Sequence, residues 1–256
     1  MKEKGWADRM IFYISDEPHD AHDYIRVQMK ALCDMIHQVD PKIPIYSSTW
    51  KHVPDWDGYL DVWGIGHQGL VSPEKMEEIR RSGGRIWFTT DGQMCTDTPY
   101  CAVERLLPHY CFKYGAAAYE FWGASWLTYD PYQYGWHSYI RQSSEPGRSY
   151  WVRYPNGDGF LIYPGAPLGR DELVSSIRLE NAREGVEDYE YLHLLKTRLA
   201  ASGDDLPTAR QALAAAAELV EIPNAGGRYS SRILPDPERL FQVREQLAEA
   251  IEKVGD

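Results

Sequence analysis

With 256 residues and 43% hydrophobic content, the chain is long enough for one large domain or two small ones and reads as globular rather than disordered. Its 38 acidic against 27 basic side chains give a formal net charge of −11, which excludes a phosphate-backbone ligand, because nothing here would release counterions from nucleic acid. No apolar stretch approaches the length needed to cross a bilayer, so no membrane partner is expected.

Met1 to Asp8 is polar and lacks the apolar segment of a secretory signal. The default location is therefore cytoplasmic, and a secreted or periplasmic one if the N-terminus is truncated. Phe12-Tyr13-Ile14-Ser15-Asp16-Glu17-Pro18 then forms a short apolar strand that ends in two adjacent carboxylates and a proline. A helical spacing of apolar residues follows from Asp20 to Gln38, with Asp20 or Asp16 as its cap. Ile43 to Trp50 reads as a second strand and Asp61 to Gly66 as a third, followed by His67. Ser72-Pro73-Glu74 opens a helix to about Arg81, Gly83-Gly84 stops it, and Arg85 to Gly92 is a fourth strand.

A helix from about Ala102 to Tyr114 leads into a fifth strand, Ala116 to Gly123, carrying Glu120 and Trp122, with the loop aromatic Trp126 beyond. From Leu127 to Arg153 the chain is rich in Tyr, Trp, Pro and Gly, which suggests a functional loop. Asn156 to Gly159 is a turn signal and Phe160 to Tyr163 a short strand. Helical patterns over Arg170 to Leu199, Thr208 to Val220 and Asp236 to Val254 fill the last third.

Short apolar strands alternating with helices argue an α/β fold with a parallel sheet, and polar or aromatic residues at the strand ends favour a (β/α) barrel wall. The expected division is a partial barrel over residues 1–170 and a helical region over 171–256 packed on it. A full barrel needs about 200 residues or more, yet five strands and the helical region consume this chain. Against a full barrel, the expectation is that three βα units are missing from the front. Truncation, completion by another chain through self-association, or an open sheet would each account for that.

The four cysteines, Cys33, Cys95, Cys101 and Cys111, lack metal-site spacing, so no metal is expected and the thiols read as reduced and mostly buried. The 9 Trp and 18 Tyr against 6 Phe favour rings with a flat face and a polar edge, which suit ligands of the same two-sided character, such as sugars.

Asp16-Glu17 alone is a weak motif. Neighbouring side chains on a regular strand point to opposite faces, so both acids reach one ligand only if the strand ends or kinks there. Pro18 is the kind of residue that ends it. In unlike environments one carboxyl could stay protonated as a general acid and the other ionised; capping or salt-bridging would serve structure instead.

Three runs in order resemble the catalytic region of glycoside hydrolase family 123, the β-N-acetylgalactosaminidase family: Ile14 to Pro18, Asp158 to Gly165, and Ser176 to Leu192 with its Arg183-Glu184-Gly185-Val186-Glu187-Asp188-Tyr189 core. The aromatic block from Phe121 to Pro131 is similar as well, and the likeness spans roughly residues 10 to 200. The resemblance implies a (β/α) barrel and a retaining, substrate-assisted hydrolase without cofactor, an exception to the two-carboxylate rule. It implies that Glu17 protonates the glycosidic oxygen, while Asp16 holds the 2-acetamido N–H so that the amide oxygen attacks the anomeric carbon. It also implies that the five strands are the fourth to the eighth of the barrel.

His67 and Asp91 follow strands and could face the pocket, or could be a surface histidine and a plain turn. Trp50, Trp122 and Trp126 could form the apolar wall for a sugar or simply pack the core. Glu120 inside an apolar strand needs a partner if buried, and could contact substrate hydroxyls. Arg178, Glu180, Arg183 and Asp188 read as structural ion pairs fixing the helix to the barrel. The expected function is release of terminal β-linked N-acetylgalactosamine from a carbohydrate substrate. The rivals are a non-catalytic glycan-binding or structural half-barrel and a hydrolase for a sugar without an acetamido group.

Overall fold

A computed structural model describes residues 2–6, 9–65, 71–89, 102–121, 123–127, 130–133, 137–142, 149–154, 157, 159–202, 206–222 and 236–255. The chain divides into two compact units. The first comprises Met1–Thr89, Lys113–Glu120 and Glu221–Ser231, and the second Thr90–Phe112, Phe121–Val220 and Arg232–Asp256.

The first unit is built on five parallel strands: β1 (Phe12–Asp16), β2 (Ile45–Thr49), β3 (Val62–Ile65), β4 (Arg85–Thr89) and β5 (Ala118–Glu120). They lie side by side in chain order, so the sheet winds in one direction and never reverses. The expected α/β class with a parallel sheet is therefore what the chain forms. Helices α1 (Asp23–Val39), α2 (Pro73–Arg81) and α3 (Ala102–Tyr114) supply three of the four crossovers. Between β2 and β3 a single 3₁₀ turn, Pro54–Trp56, does that work and buries Trp56 against Trp63, with ring centroids 6.3 Å apart.

Local chemistry sets the ends of these elements. Ser72 caps α2 by accepting from the Lys75 N–H at 3.3 Å, with Pro73 at the first helical position as its sequence suggests. The expectation of an Asp20 or Asp16 cap on α1 fails. The N-cap is His22, which makes no side-chain cap bond. Asp20 instead sits in the turn before it, pairing with Lys51 Nζ at 2.9 Å while its carbonyl accepts from Arg26 at 2.8 Å. β1, β2 and β5 are shorter than the expected strands, although Glu17, Pro44 and Ala117 at their ends still make backbone hydrogen bonds to the neighbouring strand.

Every residue of β2 and β3 is buried, as befits central strands covered on both faces. Ile45, Val62, Trp63, Ile86 and Phe88 from the sheet, with Met29, Cys33, Met76 and Ile79 from the helices, form the core of this unit. Burial is the main cause that pushes the Cys33 thiol up to about 12, so it stays protonated. Cys33 and Cys111 are buried, and Cys95 and Cys101 lie outside the described residues.

The second unit carries two antiparallel strand pairs, β6 (His137–Gln142) with β7 (Ser149–Tyr154) and β8 (Ile162–Tyr163) with β9 (Val174–Ser175). Residues 127–153 are thus not loop throughout. The aromatic-rich run Ser149–Tyr154 pairs with His137–Gln142, a strand signal that the surrounding Pro, Gly and Tyr content obscures. Helices α4 (Ile177–Ser202) and α5 (Pro207–Ala217) pack on α6 (Pro237–Gly255) through small and branched residues such as Ala209, Ala212, Val243 and Leu247. α4 begins at Ile177 rather than Arg170 because Ser176 caps it, accepting from the Leu179 N–H at 3.2 Å.

Asp188 of α4 is 1% exposed and pairs with Arg105 Nε of α3 at 2.9 Å and Arg244 Nη1 of α6 at 3.2 Å, with His109 Nε2 at 3.5 Å. Burial alone would push this carboxyl up, but the hydrogen bonds from His109 and Arg105 and the Arg105 charge outweigh it and hold the group below its ordinary value. Arg178 donates to the Phe160 carbonyl at 2.7 Å and to the Tyr163 hydroxyl at 2.6 Å, which ties the start of α4 to the turn before β8. Glu180 and Arg183 pair with each other at 3.1 Å on an exposed face of α4. Among the described residues no helix is long and apolar enough to cross a membrane, and no cluster of three His, Cys, Asp or Glu could hold a metal.

Candidate active site at the carboxyl ends of the strands

The ladder between β1 and β2 shifts register between Tyr13 and Ser15, with Tyr13 opposite Tyr46 and Asp16 opposite Ser48. On β2, Tyr46 and Ser48 are two apart and share a face, whereas Tyr13 and Asp16 on β1 are three apart. The bulge at Ile14 absorbs the extra residue and turns Asp16 to the face that Tyr13 occupies. Without it the two would point to opposite sides of the sheet.

The consequence is a set of hydroxyls around one carboxylate. Asp16 Oδ1 accepts from Tyr13 Oη at 2.8 Å and from Ser48 Oγ at 2.8 Å. These two hydroxyls are 2.9 Å apart. Asp16 Oδ2 has no hydrogen bond among the described residues, and the residue is exposed. No arginine or lysine pairs with it there. A carboxylate with one oxygen fixed by neutral donors and the other open keeps its orientation and its capacity to accept an N–H.

Glu17 follows with φ of +43°, the one non-glycine residue in the left-handed region among those described. Its N–H still reaches the Ser48 carbonyl at 3.1 Å, so the ladder continues through an exposed residue. A left-handed glutamate is strained, and such strain concentrates where a side chain must be aimed.

The same face continues across the sheet. Tyr46 donates its hydroxyl to Glu120 of β5, passing over Gly64 of β3. A Cβ on Gly64 would lie 2.6 Å from Tyr46 Cζ, so only glycine admits the phenol here. Tyr13 and Tyr46 rings are 5.1 Å apart, and Tyr46 and Trp87 of β4 are 5.3 Å apart. Burial pushes the Glu120 carboxyl above its ordinary value; the Tyr46 hydrogen bond opposes this and the Asp16 charge adds to it. Burial likewise raises the Tyr46 and Tyr13 phenols, so both remain donors at neutral pH.

Of the residues singled out from the sequence, Asp16, Glu17, Trp50 and Glu120 all sit at the carboxyl ends of this sheet's strands or one residue beyond. Trp50 is 42% exposed, and no ring or cation stacks on it among the described residues. His67, Asp91 and Trp122 lie outside the described residues. Trp126 belongs to the second unit, where its N–H donates to the Gly159 carbonyl at 2.9 Å. Tyr13, Tyr46, Ser48, Gly64 and Trp87 were not foreseen. The one signal for them is the run Tyr46-Ser47-Ser48-Thr49, unusually polar for a fully buried strand.

The model of the glycoside hydrolase 123 catalytic domain matches residues 1–195. Among solved structures, a family 123 glycoside hydrolase from Clostridium perfringens, described for glycolipid glycan hydrolysis, is similar with a TM-score of 0.55 at 15% identity. The likeness covers 99% of this chain and 42% of that one, and at this identity it is a likeness of fold. No curated protein sequence matches. With the family model spanning residues 1–195 of 256, the chain belongs to glycoside hydrolase family 123.

Proposed function

We propose that this chain is the catalytic part of a retaining glycoside hydrolase that releases terminal β-linked N-acetylgalactosamine with the help of the substrate's own amide. The observation that carries the reading is the setting of Asp16, with Oδ1 fixed by two hydroxyls and Oδ2 open beside an exposed Glu17. In this mechanism Asp16 accepts the acetamido N–H, which aims the amide oxygen at the anomeric carbon and stabilises the positive charge that develops. The amide oxygen forms a bond to that carbon as the glycosidic bond breaks, and Glu17 gives its proton to the departing oxygen. Glu17 then takes a proton from the water that reopens the oxazolinium, returning the amide with retention at the anomeric centre.

Glu120, held by Tyr46, is proposed to contact sugar hydroxyls, and Trp50 to offer an apolar face. His67, Asp91, Trp122 and Trp126 remain candidates for the same shell. The strand order supports reading β1 to β5 as the fourth to eighth strands of a barrel. β1 pairs with β2 alone among the described strands, so its other edge is the place where a further barrel segment or a second copy would join.

The test is hydrolysis of a chromogenic N-acetyl-β-galactosaminide and of an alkyl glycoside, with a thiazoline mimic of the oxazolinium as inhibitor. Activity abolished on the alkyl substrate by Glu17→Gln, and inhibition by thiazoline, are expected. Full activity in Glu17→Gln removes the assignment. Hydrolysis without thiazoline inhibition moves it to a substrate lacking the amide.

A further inference from the structure

Helix α1 is apolar on two sides, and only one of them is covered. At about 100° per residue, the buried Met29 and Cys33 mark the side that lies on the sheet, with Ile25 and Ile36 next to them. Arg26, Lys30 and His37 lie roughly 90° to one side of that line. They are engaged with the segments around β2. Arg26 Nε pairs with Asp55 at 3.2 Å, Lys30 Nζ sits 5.3 Å from the centre of the Tyr59 ring, and His37 Nε2 is 3.2 Å from the Ile43 carbonyl. Tyr24, Leu32, Met35 and Val39 lie roughly 90° to the other side. These four are 39–81% exposed. Asp55 and Tyr59 belong to the crossover from β2 to β3, so the apolar flank points the opposite way. It faces the edge of β1 that pairs with nothing among the described strands.

Charge says what covers it. Gln28 and Ala31, the other exposed residues on this flank, are neutral, so the stripe carries no charge from Tyr24 to Val39. On a chain of net charge −11, such a stripe offers nothing to a basic partner and no repulsion to a second copy. The strand beside it, Phe12–Asp16, holds no lysine or proline to blunt its edge. The bulge at Ile14 shortens the ladder that edge can form, which leaves the helix flank as the main contact. The stripe runs ~22 Å along a helix ~10 Å wide. Alone it falls short of the roughly 800 Å² per partner that a stable interface buries, so the strand edge one layer below must contribute. Both layers meet their own counterparts only about a two-fold axis perpendicular to the sheet, which keeps the helices on one side and sets the strands antiparallel. We propose that the α1 flank and the β1 edge form a two-fold interface between two copies of this chain. The pairing is independent of the hydrolytic reading, and it puts the two Asp16–Glu17 pairs at opposite ends of the joined sheet.

Sedimentation velocity of the full chain tests this, and its result stands whether or not the chain cleaves a glycoside. Over about 1 to 200 μM, a monomer–dimer equilibrium with a Kd on the order of 10 μM is expected. Met35→Lys combined with Val39→Lys should raise that Kd by more than about 10-fold, with urea unfolding unchanged because both positions are exposed. Leu173→Lys, at an exposed apolar position of the second unit, should leave the equilibrium as it is. Above the Kd, amide exchange should slow in Phe12–Asp16 and in the stripe from Tyr24 to Val39, and not in Pro237–Gly255. A monomer at every concentration gives the surface to a strand-and-helix segment of different sequence and overturns the proposal. A dimer that survives the double variant, or whose protected amides lie outside β1 and α1, places the interface elsewhere and overturns it as well.

Discussion

Two aspartates, one in each unit, are anchored by side chains from neighbouring elements, and the contrast between them separates the carboxylate proposed to act on substrate from a structural one. Asp188 is sealed between Arg105 and Arg244, so both of its oxygens are committed to cations that cannot lose their charge. Asp16 is held by two hydroxyls, and one oxygen stays open. The first arrangement fixes three helices to each other; the second fixes only the direction in which a carboxylate faces. Charge compensation consumes a carboxylate, whereas neutral donors merely orient it.

Breaking the working side is expected to give the largest effect. Glu17→Gln should lower kcat on an alkyl glycoside by about 10²- to 10⁴-fold, the usual contribution of a general acid. The loss should shrink on an aryl glycoside whose leaving group needs no proton. Breaking the structural side should show in stability and not in chemistry. Asp188→Ala takes the nearest carboxylate from the buried Arg105, whose remaining partner Glu184 lies 3.8 Å away, and is expected to cost about 3–5 kcal/mol in urea unfolding. A cost under about 1 kcal/mol, the range of exposed pairs, would mean that solvent reaches the network.

Smaller effects sharpen the contrast. Gly64→Ala places a methyl group against the Tyr46 ring and is expected to destabilise by about 1–3 kcal/mol, the range for overpacking. Measured in a Tyr46→Ala background, the cost of Gly64→Ala should shrink, because the clash partner is gone. Asp188 and Glu120, shifted in opposite directions, should also respond to pH in opposite senses. Asp188 titrates below its unfolded value near about 3.9, so its stabilisation is present above that pH and lost as pH falls through the folded value. Glu120 titrates above its unfolded value near about 4.3, so stability is fullest below that pH and declines as pH rises through the folded value. Asp188→Asn should therefore flatten the acid limb of a stability–pH curve, and Glu120→Gln the limb just above it.

The alternation of strands and helices, the acidic pair and the cap at Ser72 were all readable from residue order, because periodicity and capping are local properties. Two of the runs that carry the family likeness meet at the start of α4, where Arg178 reaches back to Phe160 and Tyr163. What sequence order could not carry was the pairing of Tyr13 with Asp16. Their spacing of three assigns them to opposite faces of a regular strand, and only the ladder to β2 reveals the extra residue between them. Gly64 was equally mute, since the need for glycine comes from a phenol on the adjacent strand. The hairpin of β6 and β7 was hidden by composition around it.

The irregularity at Ile14 makes parity, and not only identity, a determinant of this site. Removing that single position would keep both acids, the proline and the apolar pattern, yet present the aspartate to the opposite side of the sheet. A relative with the right letters and one residue fewer would be an inert copy, and a comparison that scores letters alone would count it as an enzyme.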